Sequence, residues 1–181
     1  MTEKPQQFLG LPSWRWTVMS NFVTVLGAFG ILFGVYQYTQ QLEAERASRT
    51  LEMIETWRAE GYREDFVALR SSVQDLLDAI PPEDLALAEQ SGRASENLRR
   101  RILSRVMADP QTEPRFANTI YYFNLLGLCV EANLCSTSTA RIFFDDTLSG
   151  FLQVFEPEIQ ARQTALPGFA EGVLLLRERL Q

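Results

Sequence analysis

Residues that could do chemistry are few in this chain of 181 residues, and histidine is absent from its sequence. Histidine is the commonest general base and a very common metal ligand. Its absence excludes Ser/His and Cys/His nucleophile pairs and the Glu-x-x-His motif of di-iron bundles. The glycine-rich stretch Gly27–Gly34 falls inside an apolar segment, so it is not a nucleotide-binding loop. We therefore predict a protein that is not an enzyme and has no cofactor; an enzyme that works through carboxylates alone is the alternative.

Cys129 and Cys135 are the two cysteines of the chain. A structural zinc site uses four ligands, usually Cys or His, so this pair predicts no metal site. The chain is expected to reverse near Asn133, which makes a disulfide between the two cysteines geometrically conceivable. Such a bond needs an oxidising compartment. The alternative is a pair of small, buried, apolar thiols, and the sequence leaves both open.

The adjacent carboxylates of Asp145 and Asp146 are the most concentrated acidic feature near an aromatic stretch. Paired carboxylates can act as acid and base. Successive residues of a helix point about 100° apart, so these two carboxylates would not share a site on a helix. We expect a solvated face here, with Arg141 as the ion-pair partner of Asp145 four residues later.

One basic cluster is formed by Arg99, Arg100, Arg101 and Arg105. It could bind an acidic protein or the phosphates of lipid head groups, or it could be a solvated helix face. The formal net charge of the chain is −6, and a net acidic protein repels a polyanion. We therefore predict no nucleic-acid partner.

Residues 17–36, TVMSNFVTVLGAFGILFGVY, carry no formal charge. At about 1.5 Å of rise per residue, a helix of this length crosses a hydrocarbon core of about 30 Å. Membrane interfaces favour amphipathic aromatic residues, and such residues flank both ends of the segment: Trp14, Trp16, Tyr36 and Tyr38. A buried helix of a soluble core and a cleaved signal peptide are the alternatives, but the apolar region of a signal peptide has only about 7–15 residues. We predict an uncleaved helix in the lipid bilayer over residues 17–38.

Small and polar residues share one face of this helix: Ser20, Asn21, Thr24, Gly27, Gly30 and Gly34. Small residues let two helix backbones approach closely in lipid, and hydroxyl groups can hydrogen-bond between the helices. This face predicts packing on another transmembrane helix, from a second copy or from a partner subunit. The alternative is that glycine is simply frequent in membrane helices.

Basic residues near the two ends of the segment do not define its orientation. Lys4 and Arg15 precede it, and Arg46, Arg49 and Arg58 follow it. The positive-inside rule compares these two groups, and they are nearly equal.

Apolar residues beyond the segment recur at helical spacing, and no run alternates with the period of a strand. We therefore predict an all-α fold without a sheet. Its parts are an N-terminal tail (1–16), the transmembrane helix (17–38), a helical stalk (39–57) and an antiparallel helical bundle (58–181).

Glycine, proline and serine mark the expected helix boundaries in the bundle. Gly61 predicts a break near residues 58–63. Residues 88–95 are expected to form a loop, with Ser95 as the cap of the next helix. Asn133 suits a left-handed turn, and Pro157 is expected to kink or end the last long helix.

The order of these segments resembles an uncharacterised bacterial family of membrane-anchored helical proteins, defined as a domain of unknown function. The segments TLEMIETW and EDFVALR follow the span, and the apolar helix IYYFNLLGLCVEANL turns into RIFFDDTLSGFLQVFEPEIQAR. The resemblance covers residues 17–162 and departs from the family at Asn133, where a glycine is frequent. It implies a single-pass protein of the bacterial inner membrane, and it implies no activity.

These features favour a non-enzymatic membrane protein whose helical domain associates with other proteins. It would be an accessory subunit of a larger membrane complex or a homo-oligomeric scaffold. The alternative is a membrane-anchored sensor whose helical domain responds to a ligand or partner, with Gly61 or Pro157 as a hinge.

Overall fold

The computed structural model describes residues 7–8 and 11–181, with side chains from Asn21 onward except that of Glu89. The described residues form seven helices, and the all-α prediction is confirmed. The helices are α1 (Ser13–Ala59), α2 (Tyr62–Asp78), α3 (Pro82–Gln90), α4 (Gly92–Met107), α5 (Thr112–Glu131), α6 (Thr137–Ala165) and α7 (Glu171–Leu180).

A two-residue strand pair precedes the helices. Strand β1 (Gln7–Phe8) pairs antiparallel with β2 (Leu11–Pro12). The sequence predicts no sheet, and strands this short carry no alternating pattern that could have announced them.

Helix α1 runs without interruption for 47 residues. No proline occurs within it, and no glycine follows Gly34 until Gly61. Gly61 has φ of +85°, a left-handed conformation that glycine adopts without a steric penalty. The predicted break near residues 58–63 therefore lies between α1 and α2.

The chain divides into two compact units, Met1–Glu45 and Arg46–Gln181. This boundary corrects the predicted one, because residues 46–57 were assigned to a stalk and belong to the helical domain. The physical reason is their buried face: Thr50, Ile54 and Trp57 are all buried. Their spacing of four and three residues puts them on one side of the helix.

Trp57 lies at the centre of the aromatic core of this domain. Its ring centroid is 4.6 Å from that of Tyr122, 5.4 Å from Phe123 and 5.8 Å from Phe144. The Tyr122 hydroxyl donates a hydrogen bond to the carbonyl oxygen of Met53 at 3.0 Å. Burial raises the pKa of this phenol, so it stays protonated and keeps its role as donor. The last turns of α1 are thus part of the core.

Two predicted boundaries are wrong in the middle of the chain. The expected loop 88–95 is reduced to Ser91, because α3 continues to Gln90 and α4 begins at Gly92. Ser91, not Ser95, therefore occupies the N-cap position of α4, and its side chain makes no capping hydrogen bond there.

Pro157 lies inside α6, which continues to Ala165. Proline has no backbone N–H, so the carbonyl four residues earlier loses its helical donor. That carbonyl belongs to Gln153, and it accepts a hydrogen bond from Arg99 Nη1 at 3.4 Å. A side chain of α4 thus replaces a bond that the helix cannot make for itself.

Arg162 of α6 joins its own helix to α5. Its guanidinium donates to both oxygens of Glu113 at 2.7 and 2.6 Å and to Glu158 at 2.8 Å. It also lies over the ring of Phe116, 4.8 Å from the centroid. The hydrogen bonds from Arg162 lower the pKa of Glu113. This pair therefore stabilises the fold above the ordinary pKa of the carboxyl, and the contribution is lost as the pH falls through the lowered value.

Helices α5 and α7 approach each other closely at two glycines. A methyl group added to Gly127 would overlap the carbonyl of Gly172, and one added to Gly172 would overlap the carbonyl of Asn124. The Gly172 N–H donates to Asn124 Oδ1 at 2.7 Å. This bond satisfies one of the free donors at the start of α7.

We expect Gly127→Ala to destabilise the helical domain by about 1–3 kcal/mol, because the added methyl group forces α5 and α7 apart. Chemical denaturation of the two proteins measures this difference. Gly92→Ala is the matched control, since no atom lies within 4 Å of a Cβ at Gly92. Equal stability of the Gly127 variant and the wild type would contradict the close packing.

Candidate functional surfaces

The small-residue face of α1 is not covered by the rest of the described chain. Asn21, Thr24 and Gly27 are exposed, and so are Gly30 and Gly34. No atom lies within 4 Å of a Cβ placed on any of these three glycines. Ser20 also belongs to α1, but its side chain lies outside the described ones.

Among the residues with described side chains, α1 is the one helix long and apolar enough to cross a membrane, judged by length and composition. None of its apolar window is buried. A core helix of a soluble protein passes the same test of length and composition, and so does a signal sequence.

The predicted basic cluster is largely neutralised by acidic groups of the same domain. Arg99 and Arg100 of α4 both bind Glu96, at 2.9 and 3.0 Å. Arg101 lies 4.0 Å from Asp84 of α3. The hydrogen bond from Arg100, with a further contribution from Arg99, lowers the pKa of Glu96.

Arg105 is the exception in this cluster, because no ion pair of a described residue involves it. Arg99 is held against α6 by its bond to the Gln153 carbonyl. The four arginines therefore do not form one open cationic patch. The geometry favours a solvated face with internal ion pairs over a lipid-binding surface.

The two cysteines meet at the turn between α5 and α6. Cys129 and Cys135 are joined by a disulfide, and their Cα atoms are 5.2 Å apart. Asn133 has φ of +56°, the left-handed conformation expected there. The amides of Leu134 and Cys135 both donate to the Cys129 carbonyl, at 3.0 and 3.1 Å.

This turn is attached directly to α1. The Ser136 amide donates to Thr50 Oγ1 at 2.8 Å and approaches the Arg46 carbonyl at 3.3 Å. The Thr50 hydroxyl in turn donates to that carbonyl at 2.9 Å. Cys135 Sγ lies 3.6 Å from Met53 Sδ. Sequence reasoning missed this junction, although a threonine in line with Ile54 and Trp57 was a signal for a buried polar contact.

Asp145 and Asp146 do not share a site. Asp145 is half-buried, whereas Asp146 is exposed and lines a cavity between α2 and α6. The expected partner of Asp145 is elsewhere, because Arg141 donates to the carbonyl oxygen of Arg179 at 3.1 Å. Within the described side chains, no group of histidine, cysteine, aspartate and glutamate residues could hold a metal ion.

Helix α5 exposes an apolar stripe that sequence reasoning missed. Tyr121, Leu125 and Leu128 are 59%, 45% and 44% exposed. Their spacing of four and three residues places them on one face, and the exposed Ala117 and Ala132 extend that face without adding a charge. The opposite side of α5 packs in the core, where Phe116, Ile120, Phe123, Leu126 and Val130 are buried.

We expect Cys129 and Cys135 to form a disulfide bond in the purified protein. Thiol titration under denaturing, non-reducing conditions should find no free thiol, and it should find two after reduction. The reason is that the turn between α5 and α6 brings the two Cα atoms to 5.2 Å from each other, within the usual range for a disulfide. Two free thiols before reduction would show that the pair is only a buried apolar contact.

Comparisons of the chain with protein-family models, with curated proteins and with solved structures found no match.

Proposed function

We propose that this chain is a non-enzymatic, membrane-anchored helical protein that associates with other proteins. It would act as an accessory subunit of a larger membrane complex or as a homo-oligomeric scaffold. The observation that carries the proposal is the apolar stripe of Tyr121, Leu125 and Leu128 on α5.

Single apolar residues on a surface need no explanation, but a contiguous apolar face often marks an interaction site. On α5 the three side chains follow a spacing of four and then three residues, as do the anchors of helices that bind in grooves. The chain as a whole carries a net charge of −6. The apolar stripe on α5 is an uncharged surface on this acidic protein. Association with another protein would remove that surface from water, which is favourable.

The anchor supports the same proposal from within the bilayer. The apolar part of α1 has the length of a transmembrane helix. Gly27, Gly30 and Gly34 leave open space on one side of it. In lipid, apolar side chains gain nothing from packing on each other rather than on lipid tails, so close backbone contact at small residues drives association. We propose a second transmembrane helix, from another copy or from a partner subunit, as the occupant of this side.

We also propose that the helical domain lies on the oxidising side of a bacterial inner membrane. The disulfide between Cys129 and Cys135 supports this placement, because disulfides persist in oxidising compartments and are rare where thiols are kept reduced. The balance of basic residues at the ends of the segment had left the orientation open.

Co-purification in mild detergent tests the association. The double variant Leu125→Glu/Leu128→Glu should lose the partner or the oligomer, because it places two charges on the apolar stripe. Leu87→Glu is the matched control, since Leu87 of α3 is 58% exposed and lies outside the stripe. Retention of the complete assembly by the double variant would overturn the role of α5.

The contribution of the anchor is measured separately in membranes. Gly30→Leu/Gly34→Leu should weaken helix association, because leucine side chains keep the backbones apart. Phe29→Leu/Phe33→Leu changes the other side of the helix and should have little effect. Equal association in both variants would refute packing at the glycines.

Proteolysis of membrane vesicles tests the orientation. A membrane-impermeant protease should digest the helical domain in right-side-out vesicles and leave it intact in inside-out vesicles. The opposite pattern would place the disulfide on the reducing side and contradict the proposed topology.

A further inference from the structure

Residues of helices α2 and α6 line a partly open cavity of about 530 Å³. Its floor is apolar and buried, and consists of Leu69, Val73, Phe151 and Phe155. Its lining residues on the outer side are polar and exposed: Arg70, Gln74, Asp146 and Gln153. Ligand sites of proteins have volumes of about 300–1,000 Å³ and combine an apolar wall with a few polar groups.

The cavity exists because the two helices pack against other elements. Helix α2 packs on α4 and α5, and α6 packs on α4 and α7. Gly150 of α6 lines the space between them, and no atom lies within 4 Å of a Cβ at this position. A larger residue at 150 would extend into open space without a clash in the fold.

Two opposite charges line the cavity without partners. Neither Arg70 nor Asp146 takes part in an ion pair or a side-chain hydrogen bond within the described residues. Other arginines of this domain, such as Arg162, Arg177 and Arg179, do bind a carboxylate. A free guanidinium and a free carboxylate beside an apolar floor are therefore available to a ligand.

We propose that this cavity binds a small amphipathic zwitterion, namely an apolar amino acid or a short apolar peptide. Its carboxylate would bind Arg70, whose planar guanidinium matches a carboxylate in a two-point hydrogen bond. Its ammonium group would bind Asp146, and its apolar side chain would lie on Leu69, Val73 and Phe151. A fatty acid would also match Arg70 and the floor, but its single negative charge is repelled by Asp146. This site is independent of the proposed association, because it uses neither the stripe on α5 nor the anchor.

Binding is measured with the full chain in lipid nanodiscs, so that no detergent competes for the apolar floor. The probes are leucine, the dipeptide Leu-Phe, the same dipeptide blocked at both ends, and decanoate. Isothermal titration should detect leucine or Leu-Phe. The blocked dipeptide and decanoate should bind about tenfold more weakly or not at all, since each lacks a charge-assisted hydrogen bond to the site.

Variants of the lining residues measure how much each residue contributes to ligand binding. Arg70→Gln and Asp146→Asn should each weaken binding of the zwitterion about tenfold, and Gly150→Leu should block it by filling the cavity. Arg63→Gln and Asp75→Asn are matched controls on exposed positions of α2 and should bind normally. Thermal melts confirm that every variant is folded.

Two results would overturn the proposal. The first is no binding of any probe by the folded wild-type protein. The second is binding of decanoate that Arg70→Gln abolishes and Asp146→Asn strengthens, which would identify the cavity as a site for anionic amphiphiles. A free amino acid and a peptide source are distinguished by which of leucine and Leu-Phe binds more tightly.

Discussion

The helical domain depends on the burial of the last turns of α1. Trp57 contacts aromatic rings from α2, α5 and α6, and truncation of such a side chain costs about 3–5 kcal/mol in typical cores. Thr50 lies about two turns before Trp57 on the same face of α1. It is fully buried and hydrogen-bonded to the turn that carries the disulfide. The helix that contains the apolar segment is therefore also a core helix of the domain. A rotation of α1 about Gly61 would break this junction, because Thr50 and Trp57 precede that glycine and their partners in α5 and α6 follow it.

Helix positions in this chain could be predicted where the signal is local. The break at Gly61 and the turn at Asn133 depend on backbone conformations that few residues tolerate, so the residue type announces them. Residues 46–57 were assigned to the wrong unit because their polar majority obscured a narrow buried face. The close contact of Gly127 with Gly172 joins residues far apart in sequence, and a single sequence carries no sign of which glycines meet.

Among the candidate functional surfaces, too, some could be predicted from local sequence and others depend on tertiary packing. The small-residue face of α1 could be read from helical spacing alone, since nothing in the described chain covers it. The cluster of Arg99, Arg100 and Arg101 looked like a patch in sequence, but Glu96, one turn earlier on the same helix, pairs with Arg99 and Arg100, and Asp84 of α3 lies 4.0 Å from Arg101. The stripe on α5 and the cavity beside Asp146 could not be predicted, because both depend on which helix faces receive no neighbour. Unmatched faces are a property of the tertiary packing.

The junction between α1 and the α5–α6 turn has a consequence for the order of folding during synthesis. The hydrogen bond between Met53 and Tyr122 spans 69 positions of the chain, and the one between Thr50 and Ser136 spans 86. The buried face of α1 therefore leaves the ribosome long before its partners have been made. Loop closure over such distances slows the formation of non-local contacts. The covering of Trp57 is therefore complete only after Phe66 of α2, Tyr122 of α5 and finally Phe144 of α6 have been made. The apolar segment precedes this domain in the chain and therefore leaves the ribosome before the domain can fold.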